Sequence, residues 1–180
     1  MTLTFLNEFQ IDTPTSMALN TLLQKSFPEV EYEGRDYFKQ LPHYRILAKE
    51  GEQIIGQMGI DFRVMNLNGK VVNVFGVVAL CVDSDFQGKG IGTKLMLEFE
   101  AIAKRYPNRI DALFLVTDLP QYYERLGYKT STLHITWLKI HQHQNYGLGK
   151  ELITDVYFMY KMISDKVWED GELDLLGYMY

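Results

Sequence analysis

The chain has 180 residues, with 23 Asp and Glu against 18 Lys and Arg, for a formal net charge of −5. That length suits one domain able to bury about 70% of its unfolded surface, and 47% hydrophobic with 23% charged residues is ordinary globular composition. An acidic balance without a basic run argues against a nucleic-acid partner, and a single cysteine, Cys81, excludes a disulfide framework.

The first 16 residues have neither the basic nor the apolar stretch of a secretory signal. The longest apolar run, 71–82, is too short to cross a bilayer as a helix. A cytoplasmic protein with no membrane partner is the expectation. Cys81 sits in an apolar context and is expected to be an inert core thiol.

Taken in order, residues 2–9 alternate apolar and polar side chains, the pattern of a first strand. Thr13-Pro14-Thr15-Ser16 then gives a helix-start signal before Met17, Leu19, Leu22 and Leu23. A second short helix is predicted over 35–41, ended by Pro42. Strands over 44–49 and 53–62 flank Glu50-Gly51, and Asn68-Gly69 joins a strand ending near Leu67 to a long one over 71–82. Asn-Gly suits a type I′ turn, whose two central residues need positive φ. This half reads as an antiparallel meander.

Ile91, Leu95, Phe99, Ile102 and Tyr106 recur at helical spacing, which predicts an amphipathic helix from residue 90 to Pro107. Residues 110–116 form a compact apolar strand; reached through a helix, it should lie parallel to the 71–82 strand. Pro120 opens a short helix closed by Gly127. Strands over 128–140 and 155–162 complete a mixed sheet. The expectation is a single α/β domain over 1–180, antiparallel in its first half and with a β-α-β core.

Between the long strand and the helix stands Gln87-Gly88-Lys89-Gly90-Ile91-Gly92-Thr93. A Rossmann fingerprint would need glycine where Thr93 stands, and a Walker A loop has a different spacing. What is left is a strand, a glycine turn and a helix N-terminus, which gathers backbone N–H groups and the positive end of a helix dipole at one point. Spacing alone allows an anion cradle or a tight turn with glycines used for packing.

Residues 87–92 resemble the Q/R-x-x-G-x-G/A signature of the GNAT (GCN5-related) N-acetyltransferases. Tyr122-Tyr123-Glu124-Arg125-Leu126-Gly127-Tyr128 is similar to a second signature of that family, aromatic–Tyr–x–x–x–Gly–aromatic. The resemblance covers about 44–129 well, and the rest in layout only. It implies a GNAT fold and an N-acetyltransferase that passes the acetyl group of acetyl-CoA to a primary amine of a small-molecule or peptide acceptor by direct attack, without a metal. It assigns cofactor binding to Leu80, Cys81 and Val82 along the pantetheine arm, and to Gln87, Gly88, Lys89, Gly90, Ile91, Gly92 and Thr93 at the pyrophosphate. Tyr123 is the implied general acid for the departing thiolate, and Tyr122 a packing residue.

The base is left open. Many relatives use a glutamate on the central strand, but 71–82 holds no carboxylate, and Val78 stands where the aminoglycoside 2′-N-acetyltransferases would place theirs. Asp61, the Tyr180 carboxylate and water are the candidates, while Asp83 and Asp85 suit turn caps. Thr117-Asp118 departs from an asparagine common in relatives, with Asp118 free to cap the Pro120 helix. Three other readings stand beside the main one. They are a non-catalytic acyl-CoA sensor, a transferase for longer acyl chains, and a resemblance in layout to aminoglycoside 2′-N-acetyltransferases. The acidic segment 29–36 is a solvated loop or an amine-attracting lip. His141 and His143 lack a third metal ligand, and the tail 168–180 covers an acceptor cleft, packs on a second copy in a homodimer, or frays.

Overall fold

The computed structural model describes residues 1–180. Two compact units divide the chain, 1–61 with 78–101 and 62–77 with 102–180. The third and fourth strands contribute residues to both.

The first unit begins with β1 (Thr2–Asn7), which ends earlier than its alternation suggests because Glu8–Gln10 form a 3₁₀ turn. Helix α1 (Thr13–Ser26) follows, with Pro14 in its first turn. Its cap is Asp12, whose side chain accepts from the Thr15 amide at 2.9 Å. Leu19, Leu22 and Leu23 bury the apolar face of α1 beside Tyr32, Leu47, Ile54 and Cys81. Strands β2 (Tyr44–Glu50) and β3 (Gln53–Leu67) form an antiparallel hairpin, and β1 adds to the outer edge of β2.

The predicted helix over 35–41 does not form; the segment is bends and irregular backbone. Its backbone is spent on tertiary partners instead: the Arg35 carbonyl accepts from the Asn20 amide, and the Asp36 carbonyl from Arg45 at 3.0 Å. Seven residues gain too few internal hydrogen bonds to compete. Nor is 29–36 uniformly solvated, since Tyr32 and Asp36 are buried.

Strand β4 (Lys70–Val82) leaves the Asn68-Gly69 turn, where both residues have positive φ, 52° and 80°. After it, α2 (Ile91–Lys104) buries Ile91, Leu95, Phe99 and Ile102. The apolar stripe stops there: Tyr106 lies past the helix end and is exposed.

In the second unit the strand order is β6-β9-β5-β4-β3-β10-β7-β8. Here β5 is Ala112–Thr117, β6 Lys129–Ser131, β7 Leu133–His141, β8 Gln144–Leu152, β9 Tyr157–Met162 and β10 Gly171–Tyr178. β5 is parallel to β4, as expected of a helical crossover, through Val74↔Ala112, Phe75↔Leu113 and Gly76↔Phe114. The strand predicted over 128–140 is two, β6 and β7, because the chain changes partner from β9 to β10 at Thr132.

Two strands have weak local signals. β8 is exposed at most positions and follows a Gln142-His143 turn in which both residues take positive φ without glycine. β10 lies in the tail. It pairs parallel to β7 and antiparallel to β3, anchored where Asn68 accepts from the Glu172 amide at 2.8 Å. The ring of Tyr180 occupies the space a Cβ on Gly76 would need, so glycine is required there. Phe114, Phe158 and Trp168 stack at the centre of this core. No helix is long and apolar enough to cross a membrane.

Candidate active site

In the first unit, β4 supplies Leu80, Cys81 and Val82. Cys81 turns its side chain into the core at 7% exposure, while Leu80 and Val82 are half-buried. Ala79 takes a φ of +48°, a left-handed residue within a strand. What holds it is Gln57 of β3, whose amide nitrogen donates to the Ala79 carbonyl. The Gln57 oxygen accepts from Arg45 at 3.4 Å, so both ends of the amide are committed. Arg45 is 1% exposed, with two 2.8 Å hydrogen bonds to the Glu8 carboxylate. Gly56 admits β4 closely: a Cβ there would meet the Cys81 carbonyl at 3.1 Å.

Burial pushes the Cys81 thiol up to about 11, against smaller opposing hydrogen bonds from Ser26 and Gln57. The thiolate is the reactive form, so native protein at pH 8 should resist iodoacetamide and denatured protein should take up one equivalent, read by intact mass. Fast alkylation of the native chain would place the thiol at the surface.

Past Val82, the Asp83 side chain accepts from the Asp85 amide at 3.0 Å and pairs with Lys25 at 2.8 Å. The Lys25 ammonium holds the Asp83 carboxyl below its ordinary range. Asp83 is thus a turn cap, as its position suggests. Gln87 donates to the Val82 carbonyl at 3.1 Å, tying the loop back to the strand. Gly88 and Gly90 take φ of +74° and +75° and have nothing within 4 Å of where a Cβ would stand. Both the backbone conformation and the open space suit glycine and an approaching ligand.

Gly90 accepts the first helical hydrogen bond, from Lys94 at 3.1 Å. Ile91, Gly92 and Thr93 therefore form the first turn, whose amides point out of the helix start. Lys94 is exposed, and Lys89 lies over the Phe86 ring and donates to the Asp85 carbonyl. The unit presents a helix start of outward-pointing backbone amides with two lysines near it, a geometry that favours negative charge.

Asp61, one of the candidate bases, is 1% exposed rather than turned to solvent, and its carboxylate lies 3.3 Å from His43 Nδ1. His43, Arg45 and Gln57 shape this unit without any local motif; their partners lie on neighbouring strands, and only the β2–β3 register brings them together.

In the second unit, α3 (Pro120–Glu124) carries Tyr122 and Tyr123. Leu119, not Asp118, is the residue at its start, and no side chain caps it. Tyr123 contacts Tyr122 and Tyr128 edge-on at 4.9 and 6.0 Å. Burial pushes its phenol up to about 12, with Tyr122 and Asp118 adding and the Thr117 hydroxyl opposing. Asp118, Pro120, Tyr122, Arg125 and Tyr157 line an open depression of about 540 Å³. Tyr180 packs on Gly76 and Phe114, and Arg63 lies against the Tyr178 and Tyr180 rings.

A strand that runs into a glycine-lined helix start is an architecture suited to receiving an anion. Residues 42–130 match the family model of the acetyltransferase (GNAT) domain. Residues 42–130 are a GNAT acetyltransferase domain, and the chain has the GNAT fold. Solved structures agree on the fold. The Escherichia coli GNAT family N-acetyltransferase YhbS, in complex with CoA, is 19% identical with a TM-score of 0.64, covering 96% of this chain and 89% of its own. An aminoglycoside 6′-N-acetyltransferase complexed with coenzyme A is 16% identical with a TM-score of 0.59, covering 93% and 99%. Arabidopsis thaliana NAA60, in complex with a bisubstrate analogue, is 14% identical with a TM-score of 0.57, covering 92% and 100%. No curated protein sequence matches this chain significantly.

Proposed function

We propose that residues 1–180 are one acetyltransferase domain, cytoplasmic, that passes the acetyl group of acetyl-CoA to a primary amine of a small molecule or peptide. The observation that carries this reading is the cradle at Gly88 and Gly90, left-handed and open where side chains would stand. It fits a pyrophosphate, held by the amides of residues 88–93 with Gln87 fixing the loop and Lys89 alongside. The backbone of Leu80, Cys81 and Val82 would take the pantetheine arm. Two of the similar structures hold CoA in this fold.

Acetyl-CoA supplies an activated thioester. The protein supplies position, exclusion of water and proton handling. An alkylamine, ordinarily near pKa 10.4, has to present a neutral nitrogen before it can attack. The departing sulfur becomes a thiolate that needs a donor, and the family motif assigns that role to Tyr123. Tyr123 belongs to the second unit and enters the proposal through its motif and its protonated phenol.

The test combines CoA calorimetry with thiol release from acetyl-CoA across aminoglycosides, polyamines and peptide amines. Gly90→Asp adds a side chain at positive φ and a negative charge beside the phosphates. Losing one or two charged hydrogen bonds, about 1.5–3 kcal/mol each, should weaken CoA binding at least tenfold. Unchanged CoA affinity in that variant would remove the loop from the site. Tight CoA binding with no thiol release for any amine would make the domain an acyl-CoA sensor.

A further inference from the structure

We infer that His43 and Asp61 form a proton-accepting dyad for the acceptor amine, an assignment that rests on the acetyltransferase reading above. The β2–β3 pairing ends with Arg45↔Gly59 and Tyr44↔Ile60. The His43 amide donates to the Ile60 carbonyl at 2.9 Å, which holds His43 at the end of the hairpin beside Asp61. His43 Nδ1 stands 3.3 Å from Asp61 Oδ1. The carboxylate side chain is 2% exposed and the imidazole 57%. A buried carboxylate on Nδ1 orients the ring and leaves proton exchange to Nε2, on the opposite edge.

The position of the pair links it to the cofactor strand. Gly59 lies two residues before Asp61, on the same face of β3. A Cβ there would stand 3.2 Å from Pro42 and 3.1 Å from the Val78 carbonyl. The Pro42-His43 segment therefore passes close to β3 at Gly59, beside Val78 of β4. In the proposed complex the phosphates sit beyond Val82, so the pantetheine arm runs back along Leu80–Val82 and its thioester end points toward Val78. The dyad flanks that end. It also answers the absence of a carboxylate on β4: the base stands two strands away, on the segment entering β2.

The step balances as follows. The nitrogen of the neutral amine adds to the thioester carbonyl carbon, the C–N bond forms, and His43 Nε2 takes the proton that nitrogen must lose. The C–S bond breaks with its electron pair on sulfur, and the thiolate leaves for its proton donor. The imidazolium then returns its proton to solvent. Asp61 offsets the charge on the ring while it is protonated and never carries the proton itself.

His43→Gln is the principal test, because the exposed ring can be replaced without disturbing the core. Its kcat/KM for a turned-over amine should fall about 100-fold, with CoA affinity and melting temperature unchanged. Asp61→Asn should cost a similar factor, and the double variant no more than the worse single one, since the pair acts as a unit. Added imidazole should restore turnover to His43→Ala and not to Asp61→Asn. His43→Gln at wild-type turnover, or loss of turnover only in step with lost stability and without imidazole rescue, overturns the dyad while the transferase reading stands. A wild-type chain that binds no CoA, or acetylates no amine, fails earlier and removes both.

Discussion

Tyr123→Phe is expected to lower turnover about 10²–10³-fold while CoA affinity stays at its wild-type value. The phenol is pushed up to about 12, chiefly by burial. A free alkyl thiolate has a proton affinity near 8.5, so complete transfer from such a phenol is uphill by about 5 kcal/mol. What the phenol can do at low cost is donate a hydrogen bond to sulfur as negative charge develops there, a bond that strengthens only in the transition state. Phenylalanine keeps the ring packed between Tyr122 and Tyr128 and removes only that donor. The raised value also has a pH consequence. Tyr123 stays protonated across the working range, so wild-type turnover should show no decline centred on pH 10 that vanishes in the variant. Such a decline would mean that the phenol titrates at its ordinary value, and turnover unchanged in Tyr123→Phe would remove it from the chemistry.

Arg45→Ala should be the most destabilising single change in the first unit, by about 3–5 kcal/mol. The guanidinium is buried, holds both oxygens of Glu8 at 2.8 Å, and lies 3.6 Å from the Asp36 carboxylate. Removing it strands two partly desolvated carboxylates and opens a cavity, and both effects act in the same direction. Urea unfolding measures the loss, and Glu8→Gln in the Arg45→Ala background should recover part of it by removing a stranded charge. A loss below about 1 kcal/mol would mean that the network behaves like a solvated surface pair. The variant also removes the donor that orients Gln57, and Gln57 holds the left-handed Ala79 just before Leu80–Val82. CoA affinity measured at a temperature where Arg45→Ala is still folded should therefore drop as well.

Features governed by neighbours in sequence were legible without coordinates. The Asn68-Gly69 turn follows from the rarity of positive φ. The α2 stripe follows from helical period, and β5 parallel to β4 from the length of the crossover. Gly88 and Gly90 do adopt the conformations that make glycine necessary. Local patterns failed where a segment's partners are distant. Residues 35–41 read as helix until their carbonyls are seen serving Asn20 and Arg45. β10 carries a mixed acidic and apolar pattern that becomes a strand only between β7 and β3, with Asn68 receiving its first residues.

The candidate site divides along the same line. By itself the sequence determined the glycine turn before α2, the α/β order and the tyrosine motif, because a loop before a helix and a pair of signatures are written in consecutive residues. Only the tertiary structure decided that Asp61 is buried against His43, that Gln57 and Arg45 hold Ala79, and that Tyr180 rests on Gly76. Those facts depend on strand register and on which face each side chain takes, and a shift of one residue would reverse every one of them.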